Sequence, residues 1–336
     1  MIQPNVIEHF REAMRAAGLE PPDVIEPGKL QRFSTNGKAS DEAGWCLLFS
    51  DLLGGVFGDH RSGLSETWQA KRDKPVNEAE RNAFKQRCEQ VKHERRAEQV
   101  RKHAKAASQA QAIWQAAGEA SHQHPYLARK GVKSHGLRVY RGDLVIKGMP
   151  CDGCLMVAAR DVSGFIHTLE FIHPDPRDGD NKRFLFGGDW KGHYFSLGKL
   201  NGVLCIAEGY ATGATIHEAT GYAVAVAFNA GNLEPVARAL RAKFPDLSLV
   251  LCADDDISTE GNPGLAKATA AAHAVRGLLA MPDFGDNRPE RATDFNDLAQ
   301  CRGLAAVRTC IANAKPQALD QDQAADSAPA DDAETF

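Results

Sequence analysis

Two short apolar runs that each end in carboxylates constrain this chain more than any other feature in it. Val203–Ala207 is wholly apolar and runs into Glu208 and Gly209; residues 249–253 form a second such run, which ends in Asp254, Asp255 and Asp256. Unbroken apolar runs of this kind, rich in β-branched side chains, predict strands buried on both faces of a parallel sheet. Between them lie a helix pattern (214–220, closed by Gly221), a third apolar run (223–228) and a second helix pattern (233–244, stopped by Pro245). Ligands on open parallel sheets bind beyond the carboxyl ends of the strands, so Glu208, Asp254 and Asp256 are expected on one rim. Carboxylates gathered there repel one another unless cations sit among them, and divalent-metal chemistry on phosphates uses such a set. Asp254 and Asp256 are two apart in extended chain, so they point the same way and can share a metal. Asp255 is expected to face away, as a solvated or supporting residue.

Gly209 and Gly213 bracket a tight strand-to-helix turn, and the helix that follows offers free N–H groups to an anion. Thr212 is a candidate cap for that helix, and Tyr210 a candidate for stacking on a base. Asn262-Pro263 predicts a second helix N-terminus near the same rim, with Lys267 one turn in as a candidate phosphate contact. Residues 293–297 predict a third helix start, with Asp297 as its cap.

These residues carry a resemblance. Glu208-Gly209-Tyr210-Ala211-Thr212 resembles the E-G-Y-A-T-A motif of the primases of satellite phages and conjugative plasmids, with Gly213 as a small-for-small replacement of the last Ala. A strand ending in Glu, followed by a strand ending in Asp-x-Asp, is similar to the signature of the Toprim (topoisomerase–primase) domain. The similarity continues through 261–264 and 293–297; it covers 200–310 in specific motifs and 120–200 more loosely. It implies a DNA primase-type nucleotidyltransferase that makes short RNA primers on single-stranded DNA with Mg²⁺ or Mn²⁺. On that reading Asp254 and Asp256 hold the ion on the triphosphate of the incoming ribonucleotide. Glu208 is a metal ligand or a general base on the 3′-hydroxyl, and the likeness to the family motif gives Asp294 a place in the site. Arg129, Lys130, Lys182 and Arg183 are the template-strand candidates, and a separate replicative helicase is a candidate partner. Two rivals share these letters, a Toprim nuclease and a non-catalytic DNA-binding Toprim protein. The E-G-Y-A-T string favours the primase, and retention of three acids counts against binding alone.

The rest of the chain sets the frame. Its 336 residues have room for two domains, and a net charge of −4 confines nucleic-acid contact to local patches. The expected fold is α/β: a Toprim-type parallel sheet flanked by helices (201–314), preceded by a small α+β unit (1–70), a basic helical arm (71–120) and a β-rich subdomain (121–200). In the arm, residues 71–105 carry 12 basic and 6 acidic side chains, which predicts a long solvated helix. In the β-rich part a turn at 161–164 predicts a hairpin. The segment 315–336, with six acidic residues and no basic one after Lys315, is expected to be a disordered tail. Cys151, Cys154, His167 and His173 match a zinc-finger spacing, but His167 and His173 fall on one strand, about 20 Å apart at roughly 3.3 Å per residue. Zinc is not expected there. No G-x-x-x-x-G-K-[ST] loop is present, so no P-loop motor is expected. Scattered cysteines, no signal-peptide layout and no apolar run near eighteen residues predict a cytoplasmic protein without membrane contact.

Overall fold

The chain divides into two units, 1–99 and 100–336, in a computed structural model that describes residues 4–37, 41–70, 78–175, 181–286 and 288–316. In the first unit, α1 (Pro4–Ala16) brings Phe10 and Met14, both fully buried, onto an antiparallel sheet. Its strands β1 (Gln31–Phe33), β2 (Gly44–Leu48), β3 (Gly54–Asp59) and β4 (Leu64–Gln69) pair in chain order. The glycines of β3 let rings lie directly on the strand: a Cβ at Gly58 would sit 2.6 Å from the Trp45 indole. Strand β4 is an edge strand with mostly exposed side chains, so it has no apolar run to show.

Helix α2 (Glu78–Ala116) begins in this unit, where Phe84 meets Phe49 with ring centroids 5.8 Å apart. The expectation of a solvated arm through residue 120 is corrected beyond residue 100. There Ala106, Ala107, Ala110 and Trp114 are buried, a face built largely from alanine and so not visible as a stripe of large apolar residues. The unit boundary falls inside the helix, not at its ends.

The second unit holds two sheets. β5 (Gly118–Glu119), α3 (Pro125–Lys130) and β6 (Arg138–Val139) lead through a small hairpin, β7 (Val145–Ile146) and β8 (Met149–Pro150), to β9 (Leu155–Arg160), β10 (Ile166–Ile172) and β11 (Lys182–Phe184). Five of these strands form a sheet in the order β11-β10-β9-β6-β5, antiparallel at every pairing. The β9–β10 hairpin closes where sequence reading puts it: the Asp161 carboxylate accepts from the Ser163 and Phe165 amides. Residues 176–180, between β10 and β11, lie outside the described residues.

The other sheet is made of β12 (Phe195–Leu197), β13 (Val203–Ala207), β14 (Ala223–Val226), β15 (Ser248–Cys252), β16 (Leu278–Ala280) and β17 (Lys315–Pro316), in the order β12-β14-β13-β15-β16-β17. The four inner strands are parallel and the two outer ones antiparallel. Its helices are α4 (Tyr210–Thr220), α5 (Leu233–Lys243), α6 (Pro263–Ala274) and α7 (Phe295–Ala312), the last broken at Gly303. Alternation divides β13 between two cores. Leu204 and Ile206 pack with Leu233, Val236 and Ala271 of α5 and α6, whereas Cys205 and Ala207 pack with Ala214 and Phe295 of α4 and α7. The two residues Lys315 and Pro316 pair with β16, so the segment read as a tail starts in the sheet; residues 317–336 lie outside the described residues.

One buried side chain ties the β12 side of this sheet to the loop before it. Asn232 is fully buried; its amide protons go to the carbonyls of Trp190 (2.9 Å), His193 (3.1 Å) and Ala227 (2.9 Å), and its Oδ1 accepts from the Gly192 amide (2.7 Å). Replacing it with Leu strands those backbone groups in the interior. Asn232→Leu is expected to lower unfolding free energy by about 3 kcal/mol, from the cost of orphaned buried polar groups. Urea denaturation followed by circular dichroism measures it.

Candidate active site

Strands β13 and β15 are neighbours, with Ala207 opposite Cys252, so the residues that follow each strand emerge on one rim. Glu208 follows β13 directly and accepts a hydrogen bond from the Ala230 backbone; burial pushes its carboxyl up, Lys182 opposes this, and Asp256 and Asp294 add to it. Asp254 is the most perturbed acid of the rim. Burial and the nearby Glu208, Asp294 and Asp256 push its carboxyl up to about 8, against the pull of Lys182. Its Oδ1 is buried and has no hydrogen-bond partner among the described residues. Asp256 lies against the start of α6, where the missing side chain of Gly264 makes room: a Cβ there would sit 2.9 Å from Asp256 Oδ2 and 2.7 Å from the Asp254 carbonyl oxygen.

The cation among these acids comes from the other sheet. Lys182, at the start of β11, brings its Nζ beside Gly209, 3.8 Å from where a Cβ of that glycine would stand. Burial works against its charge, but Glu170, Tyr126, Glu208 and Asp254 outweigh burial and hold the ammonium above the ordinary lysine value. The sequence reading placed Lys182 among the template-strand candidates. The structure puts it inside the acidic cluster, through a pairing of β10 and β11 that no local pattern announces.

Asp294 also reaches the rim. It is the N-cap of α7, accepting from the Asp297 amide at 2.8 Å, and its Oδ2 accepts from the Thr212 hydroxyl at 3.1 Å. Burial and Asp297 push its carboxyl up. The cap assignment is thereby corrected: Asp294 caps the helix, while Asp297 reaches back to the amide of Thr293, the residue before the cap, at 3.0 Å. Thr212 does not cap α4 either. Gly209 holds the N-cap position without a side-chain bond, and Thr212 sits inside the helix with its hydroxyl turned to Asp294.

The acid between the metal candidates faces the other way, as expected, and of its two expected roles it takes the supporting one. Asp255 is buried; its carboxylate accepts from Arg288 Nη1 at 2.5 Å and from Asn262 Nδ2 at 2.7 Å. Asn262 precedes α6 in the left-handed region (φ 41°), and its Oδ1 accepts from the Asp256 amide at 2.8 Å. It therefore fixes the acidic turn instead of capping its own helix. Neither Arg288 nor this use of Asn262 can be read from sequence, since both bonds depend on how the chain returns.

Other candidates lie elsewhere. Tyr210 is corrected from a base-stacking residue to a core residue: it is fully buried and its hydroxyl donates to the carbonyls of Lys133 (2.8 Å) and Ser134 (2.7 Å). Arg129 donates to the Pro174 carbonyl (3.0 Å), with its guanidinium 5.7 Å from the Tyr126 ring centre. Lys130 stands 3.9 Å from Asp297. Arg183 donates to the Lys182 carbonyl at 2.7 Å, and Lys267 is exposed on the first turns of α6. Gly213 is more tightly confined than a small-for-small exchange implies, because a Cβ there would lie 2.8 Å from Val226 Cγ2. The zinc-finger string is dispersed: Cys151 and Cys154 are buried before β9, His173 Nδ1 accepts from the Asp175 amide, and His167 pairs with Asp161.

A divalent cation fits this rim. Buried carboxylates crowded at one point, one of them with an orphaned oxygen, are the donor set that a hard cation completes. Asp254 and Asp256 would hold it, with Glu208 beside them as a further ligand or as a base.

Residues 202–280 match the Toprim domain family. Two curated relatives from Escherichia coli, each named DNA primase TraC, are 32% identical over 303 residues and 30% identical over 295 residues. The matches take in 83% and 82% of this chain but only 27% and 19% of the relatives' length. Among solved structures, the Aquifex aeolicus primase (zinc-binding and RNA polymerase domains) is similar with a TM-score of 0.44 at 10% identity, over 93% of this chain and 86% of that one. A DnaG primase catalytic domain bound to single-stranded DNA gives 0.44 at 14% identity, over 66% and 81%.

The elevated Asp254 carboxyl has a measurable consequence. Between its ordinary value of 3.8 and about 8, the folded chain holds a proton that the unfolded chain has released. Raising pH through that window therefore destabilises the metal-free fold. Asp254→Asn should make this decline shallower, and Mg²⁺, which competes with the proton, should stabilise the parent chain more as pH rises. Melting temperatures across the window, with and without Mg²⁺, test both.

Proposed function

We propose that this chain, whose residues 202–280 form a Toprim domain, is the catalytic part of a DNA primase that makes short RNA primers on a single-stranded DNA template. The observation that carries the reading is the buried rim of Glu208, Asp254 and Asp256 with its orphaned Asp254 oxygen, facing the Lys182 ammonium. It is joined to about 30% identity with two DNA primases over most of this chain.

A bound Mg²⁺ or Mn²⁺ supplies charge neutralisation for the triphosphate and its leaving group. The chain's own residues do the rest. Glu208, raised by burial, is placed to accept the proton of the primer 3′-hydroxyl. Asp254 and Asp256 set the position of the triphosphate by holding its cation. The Lys182 ammonium faces the phosphate oxygens and neutralises charge that develops there. Asp294 orients Thr212 and the first turn of α4, whose N–H groups point to the same rim. Arg129 and Lys267, both exposed, are open to the template backbone. Lys130 and Arg183 are half-buried and act, on this reading, by holding the template-side surface in place. All eight cysteines are free thiols, and no helix among the described residues is long and apolar enough to cross a membrane. Both fit work in the cytoplasm, alongside a replicative helicase that opens the duplex.

The test is incubation with single-stranded DNA, labelled ribonucleotides and Mg²⁺ or Mn²⁺. Short labelled products are expected from the parent chain. Glu208→Gln and Asp254→Asn should each lower synthesis about a hundredfold or more, with metal-free melting temperature unchanged or raised, since each removes one of several repelling charges. Asp255→Asn should cost synthesis much less than either, since the Asp255 backbone bonds to Arg288 and Thr293 still hold the turn, while losing about 2 kcal/mol of stability through the weakened side-chain hold on Arg288. Cleavage of the DNA without ribonucleotide incorporation would assign the rim to a nuclease.

A further inference from the structure

His167 belongs to the dispersed zinc-finger string, yet the fold gives it different company. His167 on β10 and Asp189 and His193 in the loop between β11 and β12 each offer one ligand atom, and these atoms all lie within 4.8 Å of one another. His103 on α2 adds a further imidazole, with Nδ1 at 3.3 Å from Asp189 Oδ2. None of the four belongs to the acidic rim. We propose that His167, Asp189 and His193, with His103 as fourth ligand, form a Zn²⁺ site that clips helix, hairpin and loop together.

The surroundings of these residues are those of ligands. His167 donates from Nε2 to Asp161 Oδ2 at 2.9 Å, and His193 donates from Nδ1 to the Asp189 carbonyl at 3.1 Å. Each neutral imidazole thus has one nitrogen committed to an oxygen and the other left with a lone pair. This outer contact is how proteins orient metal-binding histidines. The loop that carries two of the ligands is held from behind by Asn232, which bonds Gly192, Trp190 and His193; a rigid support favours a defined site. Three imidazoles and one carboxylate suit Zn²⁺, whereas Mg²⁺ prefers an all-oxygen set.

Closing the site needs a small movement. The His167 and His193 rings lie stacked, 3.8 Å apart and 9° from parallel, so they must turn for their nitrogens to converge. Ligand atoms in a tetrahedral zinc site are about 3.4 Å apart, given bonds of roughly 2.0–2.1 Å. For His167, Asp189 and His193 a contraction of at most about 1.5 Å from the observed spacing suffices, and His103 approaches from the Asp189 side. A cation at this place would replace the ring stack with bonds among α2, β10 and the 189–193 loop.

The experiment is titration of the chelator-treated full chain with Zn²⁺ alone, followed by gel filtration and elemental analysis. About one zinc per chain is expected, with a rise in melting temperature of about 5 °C at saturation. The zinc should persist in Asp254→Asn and in Cys151→Ser, and be lost from His193→Ala and from Asp189→Asn. Asp189→Asn keeps the loop's backbone contacts, so it reports on the ligand even where His193→Ala fails to fold. With Co²⁺ in place of zinc, visible bands without a thiolate charge-transfer band are expected. The proposal is overturned by any of three results: no retained zinc in the parent chain, zinc retained in both His193→Ala and Asp189→Asn, or zinc that follows Cys151.

Discussion

Mutual repulsion among carboxylates at one rim is the constraint around which this fold is arranged. Glu208 and Asp254 are pushed up by burial and by neighbouring acids of the rim, and Asp294 by burial and by Asp297. A chain optimised for stability alone would not crowd them. The rim is tolerable because Lys182 reaches into it and because the raised carboxyls can keep protons until a cation replaces them. Lys182 sits at the start of β11, in the antiparallel sheet, whereas the acids sit at the ends of parallel strands of the other sheet and at the N-terminus of α7. The site therefore exists only where the two sheets meet, and its charge balance depends on their being held in register.

Buried polar side chains supply that hold. Tyr210, at the start of α4, donates to carbonyls at 133 and 134; Glu218, near its end, accepts from the Lys133 amide at 2.8 Å and pairs with His135 at 2.7 Å. Asn296 on α7 donates to the Lys130 carbonyl and to Thr215 of α4. Asn232 does the same work on the other side of the sheet. Apolar packing alone tolerates small slides between layers, whereas a hydrogen bond from a buried group is lost within a fraction of an ångström. Bonds of this kind suit a site in which an ammonium must stay opposite two strand ends.

What could be read from the sequence follows the same physics. The 203–207 run was legible because β13 is central and apolar on both faces, and the flanking runs and helix patterns at 214–220, 223–228 and 233–244 each became the element expected. The alternation that turns Asp255 away from its neighbours was legible too. Strand β4 and the packed half of α2 were not: one is an edge with polar side chains, the other a face of alanines. Lys182, Arg288 and the Asn262 side chain were hidden for a different reason. Each acts on a partner fixed by the return of a distant segment, and no local spacing encodes it. Tyr210 shows the converse error, since a motif letter next to a site says nothing about the direction of its side chain.

Three consecutive acids divide into two roles at this site, and the division needs more than strand alternation. Asp254, Asp255 and Asp256 follow the end of β15, where the chain leaves the sheet and no ladder fixes which way a residue faces. Left free, such a turn would twist to spread its charges. Here the middle acid is trapped: Arg288 binds both its carboxylate and its carbonyl, and the Asp255 amide donates to the Thr293 carbonyl at 2.8 Å. Asn262 then bridges the Asp255 carboxylate and the Asp256 amide. With Asp255 bound on one side, its two neighbours have only the other side to face, which is the rim. The Arg288–Asp255 pair thus does not touch the proposed chemistry, yet it supports the direction in which the Asp254 and Asp256 carboxylates face.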